Sequence, residues 1–210
     1  MDSSQARIAL SGRMPADEWS LLGDENLFIR ALLDDPVGIG AIMPTRAPLA
    51  KAMAIVASAA EGMIVELGGG TGPITRALLH CGLSPDRIVV VERNRDFHHL
   101  LQRRFPSIRV VCGDAEQLCA LLYPLDLGPV GAILSSLPRV GWPRARQCAI
   151  LEDSFRLLGD RGRFLEFSYG PFSPVPGALI RQLGLHASRL ERVWGNVPPA
   201  TIWSYARHDG

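Results

Sequence analysis

An acid two residues ahead of three alternating glycines is the sharpest chemical signal in this sequence. Glu66 precedes Gly68, Gly70 and Gly72 in the stretch MIVELGGGTGPITRALL. Glycines at such a turn let bare backbone N–H groups come close to a ligand. The spacing departs from the dinucleotide pattern G-x-G-x-x-G: the third glycine comes one residue early, and Pro73 stands in its place. Proline withholds an N–H at the helix start, where a phosphate would want a donor. A carboxylate at Glu66 would repel a pyrophosphate and attract an ammonium or a sulfonium. The ligand that fits is a nucleoside with a cationic tail and no phosphate, and S-adenosylmethionine answers that description.

A second acid, Glu92, closes the apolar run DRIVVVE, 20 residues after Gly72. Two adjacent ribose hydroxyls can donate to the two oxygens of one carboxylate, each charge-assisted bond being worth about 1.5–3 kcal/mol. A third acid, Asp114, follows a short strand in Gly113-Asp114-Ala115. It can accept from the exocyclic amine of adenine, or cap the helix that begins after it. Ser135-Ser136-Leu137-Pro138 ends a fourth apolar run, and Tyr169 follows a fifth. In doubly wound sheets the carboxyl ends of such strands face the ligand.

E-x-G-x-G-x-G at the end of a first strand resembles the signature of class I S-adenosylmethionine-dependent methyltransferases. Three further matches resemble the bacterial phospholipid N-methyltransferases: Gly40, Ala41, Pro44 and Thr45 ahead of the glycine loop; Ser-x-Leu-Pro at residues 135–138; and VPPATIW at residues 197–203. This resemblance runs from about residue 27 to 207. It implies cofactor contacts at Glu66, Gly68, Gly70, Thr71, Gly72, Glu92, Arg93, Gly113, Asp114, Ala115, Ser135 and Leu137, and at Ile42 and Pro44 of the preceding loop. It implies methyl transfer to the amine of phosphatidylethanolamine and its partly methylated forms, towards phosphatidylcholine, at the inner face of a cytoplasmic membrane. Ser135, Ser136 and Tyr169 would orient the amine, and Arg139 or the C-terminal arginines would hold the lipid phosphate. No strong general base is visible.

An rRNA adenine dimethylase resemblance is weaker. Those enzymes carry Asn-(Leu/Ile)-Pro-aromatic, whereas this chain has Ser136 for the Asn and Arg139 for the aromatic. A methyltransferase for a soluble amine and a non-catalytic membrane-binding protein are the other readings. An intact Glu66, glycine loop and Glu92 speak against the last.

The elements that must position these residues alternate strand and helix. This implies an α/β fold: a doubly wound, mainly parallel seven-stranded Rossmann-like sheet with amphipathic helices at the N-terminus. Strands are expected at residues 63–67, 86–92, 108–112, 129–134 and 162–168, with a terminal pair at 190–193 and 201–206. Helices are expected at 48–60, 74–79, 96–105 (capped by Asn94), 116–122, 143–158 and 179–185. Residues 1–45 form an N-terminal segment and cap loop, and 46–210 the catalytic domain. Within the first, residues 19–33 are amphipathic, with two readings: packing on the domain's own core, or an interfacial helix with Trp19 and Phe28 in lipid.

Two hundred and ten residues fit one such domain. The formal charge of +1 does not announce a nucleic-acid partner. Locally the balance is uneven: residues 171–207 carry Arg181, Arg189, Arg192 and Arg207 against Glu191 alone. No apolar run approaches the ~18 residues that span a bilayer. Cys81, Cys112, Cys119 and Cys148 lack C-x-x-C spacing and read as scattered buried thiols in a reducing compartment. No metal-ligand pattern is visible, and His98 and His99 read as a solvated pair on a helix.

Overall fold

The computed structural model describes residues 47–139 and 141–207. The expected amphipathic segment and the cap loop with Ile42, Pro44 and Thr45 lie outside the described residues.

Helix α1 (Ala47–Ser58) is alanine-rich, which favours helix, and buries Leu49, Ala50, Met53, Ala54 and Ala57 along one stripe. The chain then alternates: β1 (Met63–Leu67), α2 (Pro73–His80), β2 (Ile88–Glu92), α3 (Arg95–Arg104), β3 (Arg109–Cys112), α4 (Leu118–Leu122) and β4 (Val130–Ser135). It continues through α5 (Arg144–Leu158), β5 (Arg163–Ser168), α6 (Gly177–Gln182), β6 (Leu185–Val193) and β7 (Ala200–Arg207). The strands form one sheet in the order β3-β2-β1-β4-β5-β7-β6. Strands β1 to β5 are parallel, and β7 runs antiparallel between β5 and β6.

The central strands are apolar on both faces because both are covered. Ile64, Val90, Ala132 and Leu134 meet Met53, Leu78 and Leu101 on one face. Val65, Val89 and Ile133 meet Leu118, Ile150 and Phe155 on the other. A continuous apolar run is what a doubly covered parallel strand requires. The strand order reverses between the parallel strands β1 and β4, whose register pairs Leu67 with Ser135.

The two largest boundary differences lie towards the C-terminus. Strand β6 begins at Leu185 rather than residue 190, since it pairs with β7 from Leu185 opposite Arg207 to Val193 opposite Ala200. As an edge strand it exposes His186, Arg189, Glu191 and Arg192, so no buried alternation marks it in sequence. Helix α6 ends at Gln182 because Gly184 turns the chain at φ 61°. The cysteines are all free, but only Cys119 is buried, and Cys112 is exposed. His98 is not simply solvated, since its Nε2 lies 3.3 Å from the Val110 carbonyl oxygen. Among the described residues, no helix is long and apolar enough to cross a membrane.

Candidate active site

Backbone bonds lace the carboxyl ends of β1, β2 and β4 together. Gly68 N–H donates to the Val91 carbonyl at 2.9 Å, and Ser136 N–H donates to Leu67 at 3.1 Å. Gly113 N–H donates to Glu92 at 3.1 Å, bringing the end of β3 to the same edge. The sequence-predicted residues of the glycine loop, Glu92, the Gly113–Ala115 segment and the serines are thus brought to one rim of the sheet.

Within the loop the three alternating glycines do different work. Gly68, Gly70 and Gly72 all have positive φ, at 78°, 54° and 90°, a region costly for residues with a Cβ. A Cβ at Gly68 would lie 3.0 Å from Leu137 Cδ2, and one at Gly72 would collide with the Phe105 ring. At Gly70 a Cβ would meet nothing within 4 Å. Gly68 and Gly72 therefore serve packing, whereas Gly70 is the point where the backbone stands open. Gly72 N-caps α2 without a side-chain bond, and Pro73 occupies its first turn, where its missing N–H costs little.

Glu92 is buried to 7% exposure at the end of β2. Its Oε2 accepts from Gly70 N–H at 2.9 Å and its Oε1 from Asn94 N–H at 2.8 Å. The carboxylate thus ties the open point of the glycine loop to the end of β2. Burial pushes its pKa up, against the lowering effect of those two backbone donors. Each oxygen keeps a further lone pair for a hydroxyl. Asn94 caps α3 as expected, accepting from Asp96 and Phe97 N–H.

Glu66 departs from expectation. Its side chain does not face the rim as an anion: the residue is 1% exposed, and its Oε2 accepts from Thr75 Oγ1 at 2.5 Å. Desolvation raises its pKa to about 8, the Thr75 hydrogen bond lowers it, and the nearby Glu92 charge raises it further. Without a ligand the buried carboxyl favours its protonated form, and its Oε2 is committed to Thr75. It pins β1 to the first turn of α2 from inside the core. Thr75, itself fully buried, is a positioning residue that sequence reasoning missed; its only signal was a hydroxyl nine residues after the acid.

Ser136 Oγ donates to the Gly68 carbonyl at 2.6 Å, so the Ser-Ser-Leu-Pro segment clasps the glycine loop. Ser135 is fully buried, and its Oγ accepts from Leu137 N–H at 3.4 Å. Of the two serines only Ser136 retains partial exposure beside the loop. Tyr169, just beyond β5, is partly buried and packs edge-on to Phe167 with ring centroids 5.5 Å apart.

Arg139 is not free to hold a phosphate. It is 5% exposed, and its Nε donates to Glu166 Oε1 at 2.7 Å while Nη2 pairs with Glu166 Oε2. Burial draws the guanidinium down to about 10, which leaves it charged at neutral pH. A desolvated arginine needs its carboxylate partner, and Glu166 on β5 supplies it. Glu166 was missed because it sits between the apolar residues Leu165 and Phe167 of β5.

Asp114 takes the capping role weighed for it, accepting from Glu116 N–H at 3.1 Å. It also pairs with Arg146 Nη2 at 3.0 Å and lies 3.7 Å from Arg93 Nη1. Arg146 further pairs with Glu116 and stacks over the Trp142 ring, 4.0 Å from its centroid. Arg93 and Ala115 thus fall beside Asp114, at the edge where an adenine amine was expected.

No family model matches the chain. Over 114 residues it is 32% identical to an ornithine lipid N-methyltransferase of Singulisphaera acidiphila, a match covering 52% of this chain and 59% of that protein. Over 100 residues it is 35% identical to ribosomal RNA small subunit methyltransferase A of Phenylobacterium zucineum, covering 45% of this chain and 33% of that protein. The chain therefore spans less than two thirds of either relative. Among solved structures, a TehB-like SAM-dependent methyltransferase from Corynebacterium glutamicum aligns over 90% of this chain and all of its own, with TM-score 0.57 and 18% identity. The glycopeptide N-methyltransferase MtfA, complexed with S-adenosyl-L-homocysteine, aligns over 85% of this chain and 97% of its own, with TM-score 0.60 and 14% identity. This chain has the class I methyltransferase fold. In that fold the strand order places the switch point between β1 and β4, and the glycine loop, Glu92 and Ser136 converge there.

Proposed function

We propose that this chain moves a methyl group from S-adenosylmethionine to the amine of a membrane lipid, with phosphatidylethanolamine as the acceptor expected from its motifs. The observation carrying the methyl-donor half is the Glu92 carboxylate bonded to Gly70 N–H beside a loop position with open space. A nucleoside can lie on that bare backbone and place its ribose hydroxyls on Glu92. The lipid half is supported by the ornithine lipid N-methyltransferase similarity and by the Ser-x-Leu-Pro segment.

When bound, S-adenosylmethionine supplies an electrophilic methyl and its own leaving group. The protein has to bind, orient and exclude water. Gly68 and Gly72 shape the loop, Glu92 holds the ribose, and Ser136 keeps the carboxyl end of β4 closed against Gly68. The acceptor nitrogen attacks with a lone pair, so an ammonium must first lose its proton. Desolvation beside a cation favours the neutral amine. Tyr169, beyond the end of β5, offers a ring face for a methylated ammonium. With Arg139 committed to Glu166, no buried arginine is assigned to a lipid phosphate, and an ornithine lipid is a second acceptor to test.

The test supplies labelled S-adenosylmethionine with, in turn, phosphatidylethanolamine vesicles, ornithine lipid micelles, free ethanolamine and protein-free rRNA. Label is expected in lipid, at a rate that rises with pH as the bound amine loses its proton. Label in RNA, or in free ethanolamine as fast as in lipid, would overturn the lipid assignment.

A further inference from the structure

Among the described residues, the three most exposed large apolar side chains are Phe172 at 80%, Trp194 at 71% and Val197 at 62%. Single exposed apolar residues are ordinary on a protein surface. These three are not scattered. Phe172 lies in the loop after β5, while Trp194 and Val197 lie in the β6–β7 connection. Strand β6 is parallel to β5, because both pair antiparallel with β7. The two loops therefore emerge at the same edge of the sheet as the glycine loop, and Ser168 pairs with Thr201 where they leave it.

Each loop is anchored inward, by Val175 after β5 and by Asn196 in the β6–β7 connection, while its large apolar side chains stay exposed. Ser168 Oγ donates to the Phe172 carbonyl at 2.8 Å. In the other loop Asn196 is buried at 1% exposure, and its Nδ2 donates to the Pro198 carbonyl at 2.7 Å. The polar tip of the connection turns inward while Trp194 and Val197 stay outside.

Positive charge accompanies the apolar rim. Arg189 and Arg192 are exposed on β6 opposite Trp203 and Thr201, residues two apart and so on one face of the sheet. The Arg192 guanidinium lies over the Trp194 ring, 4.4 Å from its centroid. On this stretch of β6 the two arginines stand against one exposed acid, Glu191. Aromatic rings at headgroup depth flanked by arginines reaching the phosphates are a recurrent way to seat a protein on an anionic membrane.

We propose that Phe172, Trp194 and Val197, with Arg189 and Arg192 beside them, form a docking surface for an anionic lipid bilayer. The surface presses the carboxyl edge of the sheet, and with it the active-site mouth, against the membrane. It rests on the aminolipid reading for its purpose, and its test separates the two.

The full chain and its Phe172→Ser/Trp194→Ser/Val197→Ser variant are sedimented with vesicles of mixed phosphatidylglycerol and phosphatidylcholine. The variant is expected to bind about tenfold more weakly or worse, having lost three interfacial apolar side chains, with affinity for S-adenosylmethionine unchanged by calorimetry. Arg189→Ala/Arg192→Ala is expected to lose the preference for anionic over phosphatidylcholine-only vesicles. In the wild type, brominated lipid should quench an emission component that Trp194→Phe removes. Undiminished vesicle binding by the triple variant, or no Trp194 quenching, would overturn the proposal. So would a self-association without lipid that the triple variant abolishes, which would assign the rim to a second copy. Rim-dependent vesicle binding without transfer to any lipid would leave this surface standing and overturn the aminolipid reading. Lipid methylation with unaltered vesicle binding would do the reverse.

Discussion

At the scale of single residues, one Glu92 carboxylate would serve two tasks, the proposed ribose contact and the tie it makes to Gly70 of the glycine loop. Its position at the end of an apolar strand after a glycine loop was readable, because the ribose role needs only an acid in that place. The second task was not readable, since Gly70 lies 22 residues away and only the folded turn brings its N–H to Oε2. Glu92→Ala should therefore remove the ribose acceptor and slacken the loop together. Loss of about 1.5–3 kcal/mol of charge-assisted bonding corresponds to roughly tenfold to hundredfold weaker binding of S-adenosylmethionine. Glu92→Gln should recover little, because its amide nitrogen would face a backbone N–H. Titration calorimetry on the folded variants checks this, and unchanged affinity for the alanine variant would remove Glu92 from the ribose site.

At the scale of elements, what the sequence disclosed was set by burial on two faces. The runs MIV and IVVV are apolar without alternation because helices cover the sheet above and below. Strand β6 hid, because an edge strand has one neighbour and no need of alternation. The same logic hid the tie between the segment after β4 and β5: Arg139 reads as a surface charge until Glu166 is seen beneath it. The pair is desolvated, with side-chain exposures of 3% and 4%, so removing one member strands the other. Arg139→Ala should destabilise the fold by about 3–5 kcal/mol, whereas Arg139→Met with Glu166→Leu should restore most of that loss. Urea denaturation of the three proteins decides it. A double variant as unstable as Arg139→Ala would mean the ion pair itself, and not merely its desolvation, is required.

At the scale of the whole molecule, Glu66 makes stability depend on pH. It lies in the core face that also holds Ile64, Ile74 and Leu78. Burial strips the carboxyl of hydration, so it prefers to keep its proton. Its folded pKa of about 8 stands above the ordinary carboxyl value of 4.5. Below the unfolded value both states are protonated, and the contribution to stability is fully present. Between about 4.5 and 8 the unfolded chain releases a proton that the folded protein retains. Stability should then fall with rising pH, at about 1.4 kcal/mol per pH unit in the middle of that window. Glu66→Gln keeps an acceptor for the Thr75 hydroxyl but cannot ionise. Its stability should match the wild type near pH 4.5 and exceed it increasingly towards pH 8. Taking the difference between the two proteins at each pH cancels the titrating groups that do not interact with Glu66, leaving Glu66 and its coupling to Glu92. Denaturation curves that stay parallel across the window would mean that Glu66 is ionised in the folded core, and would return it to the rim as the anion its sequence position first suggests.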